Sequence, residues 1–217
     1  MHAYATDAKD RESISLWLAA SAVAATLLLN YVLKVLKLQI PWWVDAPSVM
    51  GFYGLLYTVF DNFVWQLQFG SVRFSEIPIV QGTWVGTVRS SYEGGTELRE
   101  VLMYVRQTWS KISIQLETDK SRSSSTMAAV NTEKVFESGL KYEYVNEPLA
   151  LSVQTMQPHR GTAHLRLAPD SITLKGDYFT GRSRQNIGEM VFRLVSRQRL
   201  TRQEALHKAS SFLANLQ

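Results

Sequence analysis

The sequence contains no cysteine among its 217 residues. Disulfide staples, thiol nucleophiles, thiolate zinc sites and cysteine-held iron–sulfur clusters are thereby excluded together, and the composition fits a reducing compartment. Histidine is scarce as well: His2, His159, His164 and His207 are the four, and none of their spacings suits a shared metal ion. No G-x-S-x-G elbow, Walker loop or H-E-x-x-H helix occurs. Collagen-like periods, internal repeats and disordered low-complexity tracts are also missing. The chain is expected not to be an enzyme and to need no metal or cofactor.

Charge is the next shortage, and it is local. From Ile14 to Leu33 twenty residues pass without a formal charge, and a helix of that length spans a hydrocarbon core of roughly 30 Å. A secretory leader is disfavoured because the preceding region is mixed in sign and the apolar run is too long; a buried helix pair of a soluble protein is the alternative. A second apolar run covers Pro47–Phe60 and reaches spanning length from Val44 to Trp65 if Asp45 and Asp61 sit at opposite interfaces. Trp42, Trp43 and Trp65 fit the aromatic belts at headgroup level. The two runs predict a transmembrane helical hairpin, turning near residues 38–46, within an anchor of residues 1–70. Ser15 with Ala19, Ala20 with Ala24, and Gly51 with Gly54 offer small-residue faces for helix packing. Lys9, Arg11 and Arg73 against Lys34 and Lys37 leave the orientation of the hairpin almost undecided.

The remainder differs in charge and in rhythm. Residues 1–66 hold four basic and five acidic side chains and residues 67–217 nineteen and fourteen, so the formal charges are −1 and +5. A basic domain attracts anions without selecting among them. Over residues 76–217 apolar residues recur in short alternating runs, which predict strands at 82–91, 98–107, 111–118, 122–132, 139–146, 161–168, 171–178 and 187–195. Ile112, Ile114 and Leu116 alternate with polar neighbours, as do Leu140, Tyr142 and Tyr144. Eight short strands on tight turns close most economically into an antiparallel meander barrel, which leaves no exposed edge; a two-sheet sandwich is the alternative. Such a barrel either fills itself with side chains or holds one small ligand. Ser123, Ser124, Ser125 and Thr126 would make a roomy wall or a wet edge. Thr201–Leu216 reads as a short amphipathic C-terminal helix, opened by a Thr201–Glu204 capping box and packed on the barrel wall or plugging its end.

The chemically richest stretch is Tyr178-Phe179-Thr180-Gly181-Arg182-Ser183-Arg184-Gln185-Asn186. It gathers aromatic rings, hydroxyls, an amide and two guanidinium forks, whose geometry matches phosphate oxygens. A solvated loop is the competing reading of the Arg182 and Arg184 pair. His159-Arg160-Gly161-Thr162 is a second polar turn that could close over an anion. Trp109 and Tyr144, each near a strand end, are candidate stacking residues against the simpler role of core packing.

Taken in order, GTWVGTV at 82–88, QTWSKISIQL at 107–116, SRSSSTMAAV at 121–130, YEYVNEP at 142–148, HRGTAHL at 159–165 and GDYFTGRSR at 176–184, all downstream of two apolar runs, resemble a known family. It is the two-transmembrane, β-strand-rich effector family of bacterial cyclic-oligonucleotide-based anti-phage signalling systems (CBASS). The resemblance implies a minimal eight-stranded barrel that binds a cyclic dinucleotide made by a partner CD-NTase from the same operon, with no DNA or RNA partner. It further implies a barrel on the cytoplasmic side of the bacterial inner membrane, and a phospholipid bilayer disrupted when copies of the chain assemble. For such a ligand the chemistry of the residues themselves puts forward Arg182 or Arg184 for the phosphates, with Thr180, Tyr144 and Trp109 for hydroxyl and stacking contacts. A membrane-anchored, lipocalin-like binder of an apolar molecule is the alternative, and a solid structural barrel a third.

Overall fold

The computed structural model describes residues 1–37, 45–70, 72–91, 98–132, 138–154, 156–181 and 185–214. Strands β1 (His2–Ala3) and β2 (Ala5–Thr6) open the chain, followed by helices α1 (Asp10–Val35) and α2 (Asp45–Asn62) and a minor hairpin of β3 (Gln68–Phe69) and β4 (Val72–Arg73). The eight long strands are β5 (Gly82–Ser90), β6 (Leu98–Gln107), β7 (Lys111–Glu117), β8 (Ser121–Asn131), β9 (Gly139–Pro148), β10 (His159–Leu167), β11 (Thr173–Thr180) and β12 (Ile187–Ser196). Helix α3 (Arg202–Ala214) ends the described chain. Two compact units result, one of Ala8–Glu76 and one of Met1–Asp7 with Ile77–Gln217.

In the first unit α1 and α2 fold back on each other. The surface of α1 is apolar and open: Leu16 and Trp17 are 71% and 73% exposed, which suits lipid and not water. Two of its hydroxyls turn inward on the backbone: Ser15 Oγ donates to the Arg11 carbonyl at 2.8 Å and Thr26 Oγ1 to the Ala22 carbonyl at 2.9 Å. Among the described residues α1 is the one helix long and apolar enough to cross a bilayer. Packing runs through Ala22 and Thr26, both buried, whereas Ala20 and Ala24 face outward. Within the hairpin the faces at Ala20/Ala24 and at Gly51/Gly54 are left open, and a Cβ added at either glycine would meet nothing. A helical period gives the spacing of a face but not which of several small-residue faces is used. Trp65 is 2% exposed, not presented as a belt residue, because the chain curls there into a 3₁₀ turn at Val64–Gln66. Trp42 and Trp43 lie outside the described residues. Asp10 holds the two ends of the unit together: its Oδ2 accepts from Ser75 Oγ at 2.5 Å and from the Glu76 N–H at 2.8 Å.

The second unit is a closed antiparallel barrel in which β5–β12 follow one another as a meander. The ring closes where the first strand, β5, pairs with the last, β12, and its weakest seam is β7 on β8, held over the rungs Gln115–Ser124, Leu116–Ser123 and Glu117–Arg122. Beyond those rungs the two strands part, and residues 1–7, expected to belong to the anchor, fill the gap. Here β1 pairs antiparallel with β7 and β2 parallel with β8. Tyr4 is buried beneath this seam and donates to the Trp109 carbonyl at 2.7 Å. Asp7 Oδ1 accepts from the Thr132 N–H at 2.6 Å. The segment satisfies edges that would otherwise lie open.

One end of the barrel is packed solid. Trp84, Met103, Ile112, Ile114, Leu174 and Phe192 are fully enclosed there, and Ile77 and Val80 of the segment entering β5 close over them. That segment is pinned by Gln107, whose Oε1 accepts from the Val80 N–H at 2.8 Å while Nε2 donates to the Pro78 carbonyl at 3.1 Å. Helix α3 lies against the outer wall, with Ala205, Ala209 and Leu213 on Val85, Leu102 and Tyr104. Its capping box forms as expected: Glu204 Oε2 accepts from the Thr201 N–H at 2.9 Å and from its Oγ1 at 2.7 Å.

Candidate ligand cavity

The opposite end of the barrel is open. Turns alternate between the two ends of a meander, so this mouth is framed by the connections β5–β6, β7–β8, β9–β10 and β11–β12. The inward positions that fill the closed end with large apolar groups become small or polar here: Ser90, Ser121, Ser123, Thr118 and Thr180 stand where a packed barrel would carry leucine or phenylalanine. The result is an open cavity at this end of the barrel, a concave and largely apolar recess with a few polar groups, the form small-ligand sites take.

Aromatic rings dominate one wall. Tyr142 and Tyr144 lie tilted with ring centroids 6.1 Å apart, and Tyr178 adds a third ring from β11. Tyr142 forms the floor: it is 2% exposed, and its hydroxyl has no hydrogen-bond partner among the described residues. Burial, with the neighbouring Tyr144 hydroxyl adding to it, pushes the Tyr142 phenol far above its ordinary value. The phenol is therefore neutral throughout the physiological range. Val88, Val101, Leu116 and Met190 supply apolar surface between the rings and the serines.

Nearer the mouth the lining changes to groups that recognise. Arg99 brings a guanidinium from the start of β6, and His159 an imidazole from the start of β10. Asn146, 7% exposed on β9, has as its side-chain partner the thioether of Met156, with Nδ2 3.5 Å from Sδ. Asn186 is fixed through its backbone: the Thr180 N–H donates to its carbonyl at 2.8 Å, and its own N–H donates to Thr180 Oγ1 at 2.9 Å.

Tyr144 and Thr180, both singled out from the sequence, line this cavity. Trp109 does not. It belongs to the β6–β7 turn, which the meander puts at the closed end, where it is 3% exposed beneath Tyr4. Arg182 and Arg184 lie outside the described residues, but Thr180 and Asn186, which flank their loop, both line the cavity. Of the serine run, Ser123 faces inward, Ser124 is exposed and Ser125 works in the seam, where its Oγ accepts from the Ile114 N–H at 3.0 Å and bonds His2 Nε2 at 2.8 Å. Sequence reasoning passed over Arg99 and Asn146; Tyr178 and Asn186 stood in its richest stretch without being put forward as ligand residues. The period-two rule that selected Tyr142 and Tyr144 reaches Asn146 at the next step.

An apolar helical unit joined to a closed barrel with one aromatic, amide-lined opening defines a membrane-associated receptor for a small molecule. Residues 75–194 match the family model described as Cap15, cyclic dinucleotide receptor domain, and residues 12–66 match the one described as Cap15, TM helices. The chain belongs to the Cap15 family, the CBASS effector family it resembles. A protein of Yersinia aleksiciae called CD-NTase-associated protein 15 is 33% identical over 143 residues, 66% of this chain and 67% of that protein. Another of the same description, from Staphylococcus schleiferi, is 26% identical over 140 residues, 64% of this chain and 74% of its own length.

Proposed function

We propose that this protein is a CBASS membrane effector whose barrel binds a cyclic dinucleotide made by a partner CD-NTase. The observation that carries the reading is the cavity at one end of an otherwise solid barrel, with aromatic rings below and amides and an arginine above. Rings stack on bases, amides pair with base edges, and guanidinium forks fit phosphate oxygens. Arg182 and Arg184, on the loop between Thr180 and Asn186, are the phosphate ligands of this scheme, together with Arg99. Trp109 has no part in it.

The hairpin holds the protein in the bacterial inner membrane by two spans, with the barrel in the cytoplasm, where a nucleotide messenger is made. Binding shifts an equilibrium between dispersed and assembled copies, which requires that the ligand favour the assembled form. Tethering in two dimensions raises the local concentration, so modest contacts suffice to gather several hairpins and breach the bilayer.

The test uses the full chain in detergent and in dye-loaded liposomes. Cyclic dinucleotides, a linear dinucleotide and a fatty acid are titrated by calorimetry, and leakage is then followed with each. Binding and leakage with a cyclic dinucleotide alone is the expected result; R182A and R184A each weaken binding by about 10- to 150-fold. Binding of the fatty acid with indifference to every cyclic dinucleotide would make the protein an anchored lipid carrier instead.

A further inference from the structure

Two neighbouring hairpins carry the same arrangement on the cavity wall. On β9–β10, Tyr144 stands directly across from Gly161; on β11–β12, Tyr178 stands directly across from Gly188. Each glycine leaves room both for its ring and for the backbone of the next strand. A Cβ at Gly161 would meet Tyr144 Oη, with Cζ 2.5 Å and the Phe179 carbonyl oxygen 2.7 Å away, and a Cβ at Gly188 would meet the Arg89 carbonyl oxygen and Tyr178 Cε1, with Cζ 2.9 Å away. Each tyrosine thus lies over bare backbone, where a side chain would have pushed it off the wall. Two residues nearer the mouth, each hairpin then presents an amide: Asn146 across from His159, and Asn186 across from Thr180. The first amide lies on its tyrosine's own strand, two residues on from Tyr144, and the second just ahead of the strand across from Tyr178, two residues before Gly188.

We propose that these are two stack-and-read subsites, one for each base of a cyclic dinucleotide, and that the Asn146 subsite sets base selectivity while the Asn186 subsite is tolerant. The proposal rests on the reading of the cavity as a cyclic-dinucleotide site. Stacking alone accepts any base, since every base has a π-face. An amide offers one donor and one acceptor and distinguishes base edges by which of the two each can meet. The two amides differ in what a mismatch does. Asn146 is 7% exposed and among the described residues has only a thioether for a partner, so a base that does not complement it leaves a buried polar group unpaired, which is where large discrimination arises. Asn186 is half-buried beside the loop at the mouth, within reach of water, so a mismatch there is softened.

The experiment is a titration of the full-length protein in detergent with cyclic di-adenylate, cyclic di-guanylate, cyclic di-uridylate and the mixed adenylate–uridylate ring. Y144L and Y178L are each expected to weaken every ligand by about 5- to 150-fold. N146L should compress the spread between the best and worst ligand by about tenfold or more. N186L should weaken all four less than about fivefold and keep their order. N146D, nearly isosteric, keeps an acceptor and loses the donor, so it should re-rank the panel even if N146L fails to fold; melting curves accompany every variant. If N146L and N146D keep the wild-type order and spacing, the selective subsite is overturned while the receptor function stands. If the wild-type protein binds none of the four, the receptor function itself fails.

Discussion

Two buried amides stand at the two ends of one barrel and meet opposite fates. Gln107, 3% exposed at the closed end, has both halves of its amide satisfied by the segment it pins. Asn146, 7% exposed at the mouth, has among the described residues only Met156 Sδ at 3.5 Å. The same strands supply both ends, so the difference lies in side-chain size and not in topology. Where inward positions are large and apolar, the barrel packs itself and its polar groups must find partners within the chain. Where they are serine, threonine and glycine, the barrel stays open, and its polar groups remain available to something from outside.

The contrast can be broken at either end. The largest effect is expected from Phe192→Ala, which empties the centre of the packed end and should lower unfolding free energy by about 3–5 kcal/mol in denaturant titration; a loss near zero would mean that this end is not a core. Ser123→Leu fills the mouth instead. Cyclic-dinucleotide affinity should fall by about 100-fold or more while stability changes by less than about 1.5 kcal/mol, since a volume added to open space needs no repacking. Paired amide removals sharpen the comparison directly. Gln107→Leu strands the Val80 N–H and the Pro78 carbonyl and should cost about 2 kcal/mol, whereas Asn146→Leu should leave the melting temperature unchanged or raised. Equal losses from the two would erase the distinction.

Smaller effects follow from protons. Tyr142→Phe removes a hydroxyl buried without a partner among the described residues and should stabilise the protein by about 1 kcal/mol. The folded phenol titrates above its ordinary value of 10.0, so as pH rises past 10.0 ionisation favours the unfolded chain and stability declines. Alkaline melting curves should show that decline reduced in the phenylalanine variant. Smallest is the effect at Glu204, whose carboxyl is held below its ordinary 4.5 by the Thr201 N–H first and the Thr201 hydroxyl next. A depressed carboxylate stabilises above 4.5 and loses that contribution as pH falls through its folded value. The melting-temperature difference between wild type and Glu204→Gln should therefore be present at neutral pH and vanish in acid.

Much of the architecture was legible because alternation is a local property. The third strand, expected over 111–118, is Lys111–Glu117, and the seventh, expected over 171–178, is Thr173–Thr180. The lining of the cavity was legible in part, through Tyr144 and Thr180, and the place of Trp109 away from it was foreseeable. Once a meander is accepted, turn parity sends the β6–β7 turn with Trp109 away from the turns that bear His159 and Arg182. Asn146 was passed over although it continues the inward series of Tyr142 and Tyr144, because an asparagine before Glu147 and Pro148 reads first as a turn residue. The seam could not have been read at all. Residues 1–7 are too short for any periodic signal, and their strand partners lie more than one hundred residues away in sequence.

The sequence by itself determined the apolar helix, the number and order of the barrel strands, and the capping box of α3, since each depends on residues a few positions apart. Only the tertiary structure decided which end of the barrel is solid, which tyrosines lie over glycines, and that the first residues of the chain close the seam. Those features arise from side chains on different strands competing for one interior, and the outcome of that competition is fixed by cross-strand register, which no single segment encodes.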